Sequence, residues 1–133
     1  MSQLKIGISG CSGKMGKTLI KLISEHQECN ISGGLEAENN PDLGKNLGKL
    51  INSDNINAIV ASDRKLFFET CDIIIDFSTP DSTVENLKFG KKFGKGLVIG
   101  TTGLSQEIEK KIEIAAKDIP IVYSANMSIG INI

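Results

Sequence analysis

The run Lys5-Ile6-Gly7-Ile8-Ser9-Gly10-Cys11-Ser12-Gly13-Lys14-Met15-Gly16 constrains this chain more than any other segment. An apolar strand leads straight into a turn whose glycines have the spacing G-x-x-G-x-x-G, and helix-forming residues follow. In such a unit Gly10 permits the tight bend, Gly13 lets a ligand phosphate approach the backbone, and Gly16 lets the helix pack on the strand. Backbone N–H groups at the helix start, with the positive end of its dipole, then hold the phosphates. The spacing is a close relative of the dinucleotide-binding G-x-G-x-x-G. Glu36 strengthens it, standing about 20 residues past Gly16 at the end of the next apolar strand, where such folds grip the two ribose hydroxyls of an adenosine. With Glu36 in place, cofactor binding is favoured over a purely structural glycine turn.

The rest of the chain alternates strands with helices. Leu4 to Ser9 reads as a central parallel strand, and from Gly13 the period changes, with Met15, Leu19, Leu22 and Ile23 at helical spacing. Cys29 to Leu35 is a second strand. Asn39 to Asn57 reads as a long surface loop with a short helix around Leu43 to Leu50. A strand over Ala58 to Ala61 and a helix over Arg64 to Thr70 follow. Asp72 to Phe77 is the clearest buried strand. Thr79 then caps a helix that has Pro80 at its first position and ends near Gly94 or Gly96. Leu97 to Ile99, a helix from Gln106 to Lys117 capped by Ser105, and Pro120 to Tyr123 complete the pattern. The expectation is a single α/β domain over residues 1–133: a Rossmann-like, doubly wound parallel sheet of about six strands, covered on both faces.

Ligands of such sheets sit beyond the carboxyl ends of the strands. Gly10 to Gly16, Glu36, Phe77-Ser78-Thr79, Gly100-Thr101-Thr102-Gly103 and Ser124-Ala125-Asn126-Met127 can therefore converge on one edge. Gly100 to Gly103 offers two hydroxyls flanked by glycines, able to donate to a carboxamide or a substrate carboxylate, or to serve as an ordinary polar loop. Asn126 reads equally as an orienter of a ligand amide or as a turn residue. Asp76 reads as a structural hydrogen-bond acceptor. Glu36 would accept from a 2′-hydroxyl and repel a 2′-phosphate. Ala37 follows it and no Arg or Lys comes before Lys45, although Lys14 could still reach a 2′-phosphate. The expected cofactor is NADH, or NADH and NADPH with weak discrimination.

Composition narrows the partners. Charges nearly cancel (15 Lys plus Arg against 16 Asp plus Glu) and tryptophan is absent, which points away from nucleic acid. No apolar run approaches a membrane span, and the N-terminus reads as a fold strand, so a cytoplasmic protein is expected. Cys11, Cys29 and Cys71 have neither disulfide nor metal-ligand spacing. Cys11 reads as a size choice within the turn, with a redox-sensitive thiol as the alternative. His26, the sole histidine, falls at the far end of the first helix from the turn. No catalytic residue and no metal site is expected in this chain.

The strand-turn Ile6 to Gly16, Asp76-Phe77-Ser78-Thr79-Pro80, Val98-Ile99-Gly100-Thr101-Thr102-Gly103 and Ala125-Asn126-Met127-Ser128-Ile129-Gly130-Ile131-Asn132 occur in the order seen in the dihydrodipicolinate reductase family, which this chain resembles over nearly its whole length. The resemblance implies that Gly10, Cys11, Ser12, Gly13, Lys14 and Met15 bind the dinucleotide phosphates and Glu36 the adenosine ribose. It places Gly100, Thr101 and Thr102, with Ser124, Ala125, Asn126 and Met127, around the nicotinamide, and gives Thr102 a part in seating the substrate. Two positions depart from the family pattern. Met127 stands where phenylalanine is frequent, and Ala37 where some members have an arginine for the 2′-phosphate.

The family further implies a small cyclic dicarboxylate substrate and a homotetrameric intact enzyme of the diaminopimelate and lysine pathway. Its second domain, which follows the Asn-x-Ser-x-Gly stretch, carries the proposed acid and most substrate contacts. With Ile133 as its last residue, the chain reads as the cofactor-binding half alone, without turnover of its own. Two other readings stand beside this one: a stand-alone nucleotide- or CoA-binding module, and the cofactor domain of another amino-acid-pathway dehydrogenase.

Overall fold

A computed structural model describes residues 3–123. Six strands, β1 (Leu4–Ser9), β2 (Cys29–Leu35), β3 (Val60–Ala61), β4 (Ile73–Asp76), β5 (Gly96–Ile99) and β6 (Ile121–Tyr123), form one parallel sheet in the order β3-β2-β1-β4-β5-β6. Four helices, α1 (Lys14–Ser24), α2 (Arg64–Thr70), α3 (Pro80–Phe93) and α4 (Gln106–Ala115), make the crossovers. The order turns back at β1 and β4, so their carboxyl ends open the crevice where a doubly wound sheet takes its ligand.

Side-chain alternation assigns the two faces. Ile6 and Ile8 of β1 meet Ile20 and Ile23 of α1, together with Leu47 and Ile56 from the segment before β3. The opposite face packs Phe67 and Phe68 of α2, Leu87 of α3 and Ile112 and Ala115 of α4 on Leu35, Ile74, Leu97 and Ile99. Thr79 and Ser105 cap their helices as expected, accepting from Ser82 N and Ile108 N, and Asp63 caps α2 by accepting from Leu66 N. Gly94 closes α3 at φ +67°.

Pairing of β1 with β2 carries a bulge. Ile6 lies opposite Ile31, but Gly7 lies opposite Gly33, which leaves Ser32 unpaired in register. Ser32 Oγ turns to Cys71 Sγ at 3.2 Å, and a Cβ on Gly33 would meet Phe67, so both residues face α2. From Gly34 onward alternation resumes in the opposite phase.

Three expectations are corrected. The apolar stripe of α1 is rotated: Gly16, Ile20 and Ile23 face the sheet, while Met15 and Leu22 are 47 % and 53 % exposed. Close contact of Gly16 with the preceding turn fixes which side faces inward, and hydrophobicity alone did not carry that information. The short helix in the long loop is a 3-10 turn, Leu47–Ile51, capped by Asn46 and closed by Asn52 in the left-handed region. The loop is also fastened to the sheet edge, with Gly44 N donating to Val60 O and Leu47 N to Ala58 O. Lastly, among the described residues α1 covers only one half of its face. Beyond β1 that face carries Ile75 and Val98, both half-buried, and Val122 at 39 % exposure.

Candidate functional site

The carboxyl ends of β1, β2 and β4 and the start of α2 enclose a cleft of about 290 Å³ lined by Ser9, Gly10, Gly13, Leu35, Glu36, Ala37, Arg64, Phe77, Ser78, Thr79 and Ser82. Each glycine of the first turn has a separate cause. Gly10 has φ +84°, and a side chain there would overlap the backbone carbonyl of Phe77. Gly16 sits against the turn itself: a Cβ would overlap Gly10 O and lie 2.8 Å from Cys11 Cα. Gly13 has φ −74° and ψ 171°, open to any residue, and its Cβ would meet only Gly10 O at 3.4 Å, an ordinary contact. Nothing in the fold requires a glycine at position 13.

Gly13 is also the N-cap of α1, with no side chain accepting from its first turn. The helix therefore begins with unsatisfied N–H groups beside the cleft. Glu36 reaches back to this turn, accepting from Ser12 N at 2.9 Å. The carboxylate is half-buried, and the Glu36 backbone is held by its own N–H on Ala61 O. Ser12 Oγ lies 3.5 Å from Asn40 Oδ1.

Cys11 points the other way. Its side chain is fully buried against Gly34 and Leu47, so only its backbone borders the turn, as a size choice requires. Burial first, then the Glu36 charge, pushes its thiol up to about 12. Tyr123, whose hydroxyl donates to Glu109 at 2.7 Å, is likewise raised to about 12 by burial and that bond. Both groups keep protons in the folded protein that the unfolded chain releases from ordinary values of 9.0 and 10.0. Stability that is complete below pH 9.0 is therefore expected to fall as pH rises toward 12. Urea midpoints on either side of that onset check this, and a flat profile would refute it.

A second constellation joins the cleft to the Gly100–Gly103 loop. The Asp76 carboxylate, fully buried at the end of β4, accepts from Ser78 N at 3.1 Å, from Ser78 Oγ and from Thr83 Oγ1 at 2.8 Å. Thr101 Oγ1 accepts from Ser78 N at 3.1 Å and lies 2.9 Å from Thr83 Oγ1. Asp76 is thus the structural acceptor expected. Thr101 departs from expectation: at 3 % exposure its hydroxyl is committed to this network, which leaves Thr102, exposed, as the free hydroxyl of the loop. Gly100 makes room for the Phe77 ring, which a Cβ would overlap.

Of the sequence-predicted residues, Gly10, Gly13 and Glu36 meet in the cleft, with Ser12 bonded to Glu36 and Gly100 and Thr101 joined through Phe77 and Ser78. Lys14 and Met15 are exposed on the first turn of α1. Ser124, Ala125, Asn126 and Met127 lie outside the described residues. His26 is exposed beyond the far end of α1. Among the described residues no cluster of His, Cys, Asp or Glu could hold a metal, and no helix is long and apolar enough to cross a membrane.

Arg64 and its partner Ser82 line the cleft but escaped the sequence reading. Arg64, at the first position of α2, donates from Nε to Asn86 Oδ1 at 3.1 Å and from Nη2 to Ser82 Oγ at 2.9 Å. Burial draws its pKa below the ordinary arginine value, against the opposing pull of Glu85 and Asp76. The rule that ligands gather at strand ends, applied to the third strand as to the others, would have found it.

A family model described as "Dihydrodipicolinate reductase, N-terminus" matches residues 4–127. Among solved structures, the chain is similar to a dipicolinate-bound dihydrodipicolinate reductase from Paenisporosarcina sp. TG-14 (TM-score 0.73, 20 % identity, covering 96 % of this chain and 49 % of that one). An aspartate semialdehyde dehydrogenase with NADP from Candida albicans gives TM-score 0.67 at 19 % identity, covering 96 % and 44 % of the two chains. An oxidoreductase from Agrobacterium radiobacter in complex with NAD+, L-tartaric acid and magnesium gives 0.66 at 14 %, covering 95 % and 36 %. The chain thus spans about half the length of the first of these structures and less of the others. At these identities the structural likeness establishes the fold.

Proposed function

This chain belongs to the dihydrodipicolinate reductase family through its N-terminal domain, and from that premise we propose that it is the cofactor-binding half of a 4-hydroxy-tetrahydrodipicolinate reductase. The family and the structures quoted above are oxidoreductases. One observation carries the assignment of the cleft: α1 opens uncapped on Gly13, a residue whose missing side chain serves no packing need. A cradle of bare N–H groups with space for a phosphate fits a dinucleotide. Glu36, already oriented by Ser12 N, would take the ribose hydroxyls, and Gly100 to Thr102 would border the nicotinamide, with Thr102 toward the substrate. When bound, a reduced nicotinamide would supply hydride to the unsaturated ring of a cyclic dicarboxylate. The proton and most substrate contacts would come from a substrate domain that the family places after the Asn126-x-Ser128-x-Gly130 stretch, within a homotetramer. This domain by itself is expected to bind dinucleotide without turnover.

Calorimetric titration tests the reading. NADH is expected to bind at least as tightly as NADPH, because Glu36 opposes a 2′-phosphate and Ala37 offers it nothing. Glu36→Ala should weaken NADH about tenfold, the scale of a lost charge-assisted hydrogen bond. Gly13→Ala should weaken both cofactors while lowering the melting temperature only by the small capping preference of glycine over alanine. Absence of binding by the unaltered protein would overturn the assignment, and NADPH binding tenfold tighter than NADH would overturn the preference.

A further inference from the structure

The cleft holds one cation that neither the glycine turn nor Glu36 accounts for. Arg64 is the only arginine in the chain and, among the described residues, the only cationic one lining the cleft. Among the described residues the ion pairs involve lysines alone, so Arg64 is not matched to a carboxylate. It is tied instead to two neutral oxygens of α3, through Nε to Asn86 and Nη2 to Ser82. Asn86 is fully buried and donates onward to Ser9 Oγ at 3.0 Å, one residue before the glycine turn. A half-buried cation is thus fixed at the wall of the cleft by a chain of bonds that ends at the turn.

Those bonds decide what Arg64 can still offer. Nε and Nη2 form one of the two forks with which a guanidinium grips a phosphate, and it is engaged, which leaves the end-on Nη1 and Nη2 protons as its free donors. A 2′-phosphate would also share the cleft with the Glu36 carboxylate. A guanidinium held in plane at two points retains its flat, weakly hydrated face, which stacks on aromatic rings. On the reading of the cleft as a dinucleotide site, we propose that Arg64 is the platform on which the adenine ring stacks. It then raises affinity for NADH and NADPH alike instead of discriminating between them.

The single arginine makes the test direct, since its Nε–H gives one nitrogen–proton resonance. Titration with ADP-ribose, which carries adenine without nicotinamide, should move that resonance upfield through the ring current. Its 2′-phosphorylated counterpart should do the same. Arg64→Lys keeps the charge and loses the plane, and should weaken both ligands by roughly fivefold. A resonance that stays in place or moves downfield while the ligand binds would overturn this inference alone. So would a loss confined to the 2′-phosphorylated ligand, or unchanged affinity in a folded Arg64→Lys. Should that variant not fold, the resonance in the unaltered protein decides. Failure of the unaltered protein to bind either ligand would overturn the dinucleotide reading and this one with it.

Discussion

Gly16→Ala is expected to cost about 2–4 kcal/mol of stability, although alanine is the better helix former by about 1 kcal/mol. Gly16 lies within α1, where an added methyl group ordinarily helps. Here it would be driven into the carbonyl of Gly10 and the backbone of Cys11, neither of which can swing aside as a side chain can. Relief requires α1 to lift from β1, which loosens Ile20 and Ile23 and the first turn of the helix together. Gly13→Ala, three residues earlier and unobstructed, is the control and should cost no more than about 1 kcal/mol, the N-cap preference for glycine over alanine. Urea denaturation of the two variants separates steric contact from propensity. A Gly16→Ala protein within about 0.5 kcal/mol of the parent would show that the close contact is not structural.

Asp76→Ala should be comparably damaging, at roughly 3 kcal/mol, because it strands several donors at once. Ser78 N and Ser78 Oγ lose an acceptor, and the fully buried Thr83 loses the carboxylate end of its bond. The effect should extend to binding. Thr101 is held by the same group of hydroxyls, so releasing it frees the Gly100–Gly103 loop at the nicotinamide end of the proposed site. Asp76→Asn retains the shape and one acceptor oxygen and should cost about half as much. Dinucleotide affinity measured on whichever variant folds distinguishes a local packing defect, which would leave binding unchanged, from the coupling expected here.

Elements whose ends carry their own chemistry were legible in the sequence. β2 runs from Cys29 to Leu35, and α3 begins after Thr79 with Pro80 and stops at Gly94, as the residues indicate. The glycine turn and Glu36 were legible for the same reason: local spacing specifies them, and the structure brings Ser12 and Glu36 within hydrogen-bond distance. Features decided at a distance were not. Which side of α1 faces inward is set by the backbone of the turn, and the commitment of Thr101 by Thr83 and by the backbone carbonyl of Asp76, 25 residues away on β4. Arg64 looks like any solvated charge at a helix start until α3 supplies Asn86 and Ser82 beside it.

The bulge at Ser32 and Gly33 bears on how this site tolerates changes in chain length. Side chains along a strand alternate sides, so an odd insertion or deletion inverts everything downstream, whereas an even one preserves parity. Because Ser32 and Gly33 share a side, Gly34 faces Cys11 and Glu36 arrives at Ser12. Removing Ser32 would erase the bulge and restore simple alternation, with Gly33 still toward Phe67, Gly34 toward Cys11 and Glu36 still at Ser12. In comparing relatives of this chain, a one-residue gap at Ser32 or Gly33 is therefore compatible with an acid that still reaches the turn, whereas a gap elsewhere along the regular part of the strand is not.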